Sequence, residues 1–414
     1  MRKIILVLLV ASFGVFISTQ QYQGLPGASL VYAGRPCNLN QDITYDYRSA
    51  IYDLTILLYK SVAVRSNFNF VYAPISIWIM LAAIAEGADA RTQQKLFQLL
   101  NLPNDPCIRQ AFYQLATTRV FPSSEVYIKS TRALLIDERS TLNPSWYDFV
   151  VRNALLDVVT APIKYNPVVT ANEIKRIMSA QLPRLDLTGN SVLLDAMDYN
   201  GLWTTAFADA TVENAPFYNM AGEQIGTVDL MRVKRRARMG YLKSLNAKIL
   251  ELPIGSDSRY RMLFCVLIAN NDIKPAVAAV NTDLVFELFT SLQESYVQID
   301  VAIPRMVITS EVDVRTILED LGVTDLWTDP AVTRYISEPA AFPSSFVQRS
   351  TVVLNNTGLD IPPLEQDPAY GTRTGLDLLL GRDFIADRPF LFSLFDAETY
   401  TSILAAAYTS PTYT

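Results

Sequence analysis

Few residues in this 414-residue chain could do chemistry, and one type is absent: there is no histidine. That excludes Ser-His-Asp and Cys-His nucleophilic catalysis, histidine acid–base chemistry and ordinary His-ligated zinc sites together. No cofactor motif is present, so neither an enzyme nor a metal site is expected. Three cysteines remain. Cys265 sits in the apolar run Arg261–Ala269, where a thiol behaves as a small hydrophobe. Cys37 and Cys107 both follow prolines in polar contexts and are the candidate disulfide pair, with two unpaired surface thiols as the alternative. Lys234, Arg235, Arg236 and Arg238 form one basic group in an acidic chain. It reads either as a weak polyanion contact or as a solvated hairpin between strands.

The elements that must position these residues follow from composition and period. Half the residues are hydrophobic, 18% are charged and the net charge is −6, which excludes a disordered chain and disfavours a nucleic-acid partner. Met1-Arg2-Lys3 followed by the apolar stretch Ile4–Ile17 predicts a secretory signal peptide over residues 1–19. Secretion to the extracellular space is expected, with no membrane-anchored segment; the alternative is an anchor, for which this stretch is short. Tyr47, Ile51, Leu54, Leu57, Leu58 and Val62 recur at helical spacing, and Ala73–Leu81 reads as a buried helix opened by Pro74. Val297, Ile299, Val301 and Ile303 alternate as a strand does, and Pro389–Phe395 and Ser402–Tyr408 read as buried strands. Helices early and strands late predict an α+β fold. From Asn355 to Asp383 the chain is polar and turn-rich, and a loop of that length in a compact domain is usually functional or disordered.

Seven segments, in order, resemble the serpin family. They are Asn69–Ile77 running on to Glu86–Thr92, Leu194–Trp203 with Phe207, Ile249–Pro253, Ile303–Ile308, Leu318–Trp327, Asn355–Gly358 and Phe384–Phe392. The resemblance implies one domain over residues 36–414, with three β-sheets, about nine helices and an exposed reactive-centre loop at about 358–383. It implies a monomer whose partner is an endopeptidase, serine-type or papain-like cysteine-type. In inhibitory members the cleaved loop inserts into the large sheet and carries the acylated protease with it. Counting from Gly358 places the scissile bond at Thr372-Arg373, or at Arg373-Thr374 if the register shifts. Arg373 suits a trypsin-like protease; a solvated loop charge is the alternative.

The chain departs from the family where insertion makes demands. The hinge reads Asn356, Thr357, Gly358, Leu359, Asp360, Ile361, Pro362, Pro363, where inhibitory members carry small residues. Prolines cannot donate to a ladder and are essentially absent from central strands. Leu359, Ile361, Pro363 and Glu365 would point inward, and a buried carboxylate without a partner costs several kcal/mol. At the opening point of the sheet the family's cluster becomes Ala73 with Ser76, Asp195 and Gln348, with Asp195 for an amide and Gln348 for a histidine, while Trp203 matches the family's Trp-bearing breach. Gln348 is expected to donate to Asp195, or each to serve as an ordinary satisfied core residue. Asn355-Asn356-Thr357 is an N-glycosylation sequon, chance occurrence being the alternative. Two functions follow: a secreted endopeptidase inhibitor without efficient loop-insertion trapping, or a non-inhibitory carrier, storage or interaction protein.

Overall fold

The computed structural model describes residues 31–32, 35–36, 42–118, 125–182, 185–207, 212–257, 259–268, 272–295, 297–359 and 383–411. In chain order they form β1 (Val31–Tyr32), β2 (Arg35–Pro36), α1 (Thr44–Arg65), β3 (Phe70–Tyr72), α2 (Pro74–Ala85), α3 (Ala90–Leu99) and α4 (Pro106–Thr118). Next come β4 (Val126–Asp137), β5 (Thr141–Leu142), α5 (Pro144–Arg152), β6 (Asp157–Ala161), α6 (Pro167–Met178), β7 (Ser191–Gly201), β8 (Val212–Tyr218) and β9 (Gln224–Arg235). Then follow β10 (Arg238–Leu242), β11 (Ala247–Ile254), β12 (Tyr260–Leu267), α7 (Ile273–Ala279), α8 (Thr282–Ser291), β13 (Gln293–Glu294) and β14 (Ile299–Asp313). The last are α9 (Val314–Asp320), α10 (Asp325–Thr328), β15 (Ser337–Glu338), β16 (Pro343–Leu354), β17 (Asp383–Ile385), β18 (Phe390–Asp396) and β19 (Thr401–Tyr408).

Helix α1 buries Tyr47, Ile51, Leu54, Leu58 and Val62, the 3.6-residue stripe. Leu57, expected on that stripe, is 41% exposed, because the helical turn that carries Leu58 inward carries its neighbour outward. Helix α2 starts at Pro74, whose missing N–H costs nothing in a first turn, and all twelve of its residues are buried. It is the central rod of the core. The alternating strand expected from Val297 starts at Ile299 instead; Val297 is 48% exposed and unpaired to the ladder.

Strand β14 joins two sheets. Its second half, Met306–Asp313, pairs with β16, and its first half, Ile299–Arg305, pairs with β9 and β17. The resulting order is β6-β4-β7-β16-β14-β9-β8. A separate seven-stranded sheet runs β13-β10-β11-β12-β18-β19-β3, and its β12 and β19 are buried on both faces, which is why their sequences are unbroken apolar runs. That makes three principal sheets with ten α-helices among the described residues, the expected α+β architecture. Strands β7 and β16 are parallel and directly paired, from Phe346 opposite Leu193 to Val353 opposite Asn200. No other strand lies between them.

Candidate functional site

The hinge leaves the top of β16 and is laced to the segment that follows β7. The Trp203 N–H donates to the Thr357 carbonyl (3.2 Å), and the Leu359 N–H donates to the Trp203 carbonyl (2.7 Å). Gly358 and Trp203 thereby form an isolated parallel bridge. The Phe207 N–H donates to the Asn356 carbonyl (3.0 Å), and Trp203 Nε1 donates to the Asn355 carbonyl (2.7 Å). Trp203 is 1% exposed and meets Phe207 edge-on at 5.6 Å, so its indole is a fixed anchor. A Cβ on Gly358 would sit 2.6 Å from the Trp203 carbonyl oxygen and 2.7 Å from the Ala206 backbone. Glycine is required here by this close approach.

Below the hinge, three fully buried polar side chains meet across the strand pair: Ser76 of α2, Asp195 of β7 and Gln348 of β16. Asp195 and Gln348 are direct cross-strand partners. Ser76 Oγ donates to Asp195 Oδ1 (2.7 Å) and Gln348 Nε2 donates to Asp195 Oδ2 (2.5 Å). Gln348 also closes a two-bond ring with Ala73: Oε1 accepts from the Ala73 N–H (2.8 Å) and Nε2 donates to its carbonyl (2.9 Å). Ala73 contributes only backbone, as the N-cap of α2. Burial pushes the Asp195 carboxyl up to about 6, while the Ser76 and Gln348 hydrogen bonds and the Arg132 charge pull the other way. The arrangement is a clasp: β16 cannot part from β7 without breaking the amide–carboxylate bond.

Of the other sequence-derived positions, Asp360, Ile361, Pro362, Pro363, Glu365, Thr372, Arg373, Thr374, Cys37 and residues 1–19 lie outside the described residues. Cys107 is disulfide-bonded, and Cys265 is a free buried thiol pushed up to about 12 by burial. The basic group is not a hairpin. Strand β9 belongs to one sheet and β10 to the other, so Lys234–Arg238 is the corner where the chain changes sheet. Arg235 is 6% exposed, and Arg238 donates to both Glu251 oxygens at 3.0 Å beside Arg261. Lys234 faces solvent, and Arg236 and Arg238 are partly exposed.

Periodicity gave no sign of an apolar cavity between α1, α8 and the seven-stranded sheet. It measures about 120 Å³ and is lined by Tyr52, Leu263, Cys265, Val285, Leu288 and Leu391 among others. Among the described residues no group of three or more acidic or cysteine side chains is placed to hold a metal, and no helix is long and apolar enough to cross a membrane.

Comparison with known proteins agrees with this geometry. Corticosteroid-binding globulin of Pongo abelii is 26% identical over 385 residues, covering 88% of this chain and 90% of its own length. The crystal structure of uncleaved ovalbumin superposes with a TM-score of 0.77 at 21% identity, covering 88% of this chain and all of the other. Human thyroxine-binding globulin complexed with thyroxine superposes at 0.76 with 16% identity, covering 90% and 100%. The family model described as serpin (serine protease inhibitor) matches residues 49–411, and the chain belongs to the serpin family.

Proposed function

We propose that the protein is a secreted, monomeric serpin-family endopeptidase inhibitor, with a signal peptide over residues 1–19 and one domain over 36–414. It engages a serine-type or papain-like protease through the loop at about 358–383, with cleavage at Thr372-Arg373 or Arg373-Thr374, and does not trap it efficiently. The observation that carries the absence of trapping is the hinge sequence: Pro362, Pro363 and Glu365 are poor occupants of the place between β7 and β16, which stands closed before any cleavage. Incubation with trypsin-like and papain-like proteases tests it. Inhibition that reverses on dilution is expected, with slow cleavage at 372–374, no SDS-resistant complex and an unchanged melting temperature after cleavage. An SDS-resistant complex overturns the absence of trapping, and cleavage without any loss of protease activity overturns inhibition.

The cavity under α1 and α8 favours a second reading, a carrier of a small apolar ligand. Two similar proteins are named for binding corticosteroid and thyroxine. A dry apolar cavity near 150 Å³ accommodates a benzene-sized group, so about 120 Å³ holds one ring of a ligand and a larger one would have to widen it. Saturable quenching of an apolar fluorescent probe, lost in Leu288→Trp, would support carriage.

A further inference from the structure

We propose that Asn355 carries an N-linked oligosaccharide. The inference rests on the reading of the protein as secreted, since the donor is met only inside the secretory pathway. Asn355-Asn356-Thr357 is the single Asn-X-Ser/Thr sequence in the chain with X other than proline; Asn143-Pro144-Ser145 is ruled out by its proline. Its geometry in the folded chain suits the modification. Asn355 Oδ1 accepts from the Thr357 N–H (3.0 Å) and from Thr357 Oγ1, and the Asn355 carbonyl accepts from Trp203 Nε1 (2.7 Å). Each of these bonds uses an oxygen. Nothing among the described residues accepts from Asn355 Nδ2, and the residue is only partly buried. A sugar on that nitrogen leaves every one of these contacts in place. Asn356 differs: its Nδ2 is directed at the Phe207 carbonyl (3.5 Å) and its own carbonyl holds the Phe207 N–H.

The transfer forms a bond from Asn355 Nδ2 to the anomeric carbon of an oligosaccharide as that carbon's bond to a lipid-linked diphosphate breaks. The diphosphate departs with the bonding pair, and the amide releases one proton. Asn355 is the first residue beyond β16, two positions above Val353, the last residue paired with β7. Strands in a sheet lie about 4.8 Å apart, so a hydrated sugar there stays in solvent above the mouth between β7 and β16. It joins Pro362 and Pro363 as an obstacle to insertion.

Expression of the full chain in eukaryotic secretory cells tests the site. The intact mass of the secreted protein is expected to exceed the polypeptide mass by a glycan that peptide-N-glycosidase removes, converting Asn355 to Asp. Asn355→Gln and Thr357→Ala are each expected to lose that mass, while Thr357→Ser and Asn356→Gln keep it. A second version, with residues 1–19 replaced by a heterologous leader, separates the two readings. Glycan on that version alone overturns the native leader and leaves the site standing. An unmodified Asn355 on protein recovered from the medium overturns the site.

Discussion

Asp195→Asn weighs the charge buried between β7 and β16. Burial raises the Asp195 carboxyl from 3.8 to about 6. A shift of about two units corresponds to roughly 3 kcal/mol between the protonated and ionised folded states. The folded chain binds this proton more tightly than the unfolded chain does. Its contribution is therefore fully present below the unfolded value of 3.8 and lost as pH rises through about 6. At about pH 5 roughly 1.4 kcal/mol of it is regained relative to neutral pH. Asparagine cannot titrate, yet it can keep both contacts: Oδ1 accepts from Gln348 Nε2, and Nδ2 donates to Ser76 Oγ, which reverses its role. Re-aiming that hydroxyl costs about 1 kcal/mol, leaving a net gain of about 2 kcal/mol at neutral pH.

Urea unfolding of both proteins at neutral pH and near pH 5 is the assay, read as the difference between their pH responses. The wild-type response alone is insufficient, because Asp137, Asp186 and Asp325 are held below the usual carboxylate range and lose stability on acidification. Their contributions are common to both proteins and cancel. The expected result is that wild type gains about 1.4 kcal/mol on the variant between neutral pH and pH 5. Identical pH responses would refute the reasoning, since they would mean that the clasp bears no excess charge at neutral pH.

Gly358→Ala drives a methyl group into the Trp203 carbonyl and should release the hinge; amide exchange at Leu359 is expected to rise at least tenfold, and unchanged protection would contradict the packing. Glu251→Gln removes the charge on which Arg238 and Arg261 converge at a position 3% exposed. By the cost of breaking a buried pair, tempered by the partly exposed arginines, it should lower stability by about 2–4 kcal/mol in urea titration. The Cys265 thiol, raised to about 12, should stay inert to an aromatic disulfide reagent at neutral pH and react once denaturant opens the sheet.

How much of this was legible in the sequence depends on whether neighbours along the chain or across it decide the outcome. Helix α2 was legible because Pro74 and an all-apolar run are local facts, and β12, β18 and β19 were legible because strands covered on both faces need no alternation. Lys234–Arg238 leaves a polyanion contact and a solvated hairpin both open in the sequence, and the hairpin fails because a basic break in the apolar pattern looks the same whether the chain turns back or crosses to another sheet. Ser76, Asp195, Gln348 and Trp203 were marked by family resemblance. Which atom of each donates depended on the β7–β16 register, which joins residues more than 150 positions apart. The bonds from Gln348 to the Ala73 backbone had no sequence signal, since any residue supplies that N–H and C=O. A cavity is likewise encoded by what three elements fail to fill, and no periodicity records it.

The hinge geometry bears on trapping independently of the prolines. Because β7 and β16 are parallel, a strand that leaves the top of β16 and runs back between them is antiparallel to both. The present Gly358–Trp203 bridge is parallel. Insertion therefore cannot grow from it as a zipper grows from its first tooth. The two bonds of that bridge, from the Trp203 N–H to Thr357 and from the Leu359 N–H to Trp203, have to be exchanged as the chain turns back. At about 1 kcal/mol net apiece, that is an increment of about 2 kcal/mol, or roughly thirtyfold in rate. The amides that would compensate come from residues beyond Leu359, where Pro362 and Pro363 supply none. Under the proposed function, hydrolysis of an acyl-enzyme would need no such exchange, so residues 355–359, held at Trp203 and Phe207, would weight the outcome toward hydrolysis.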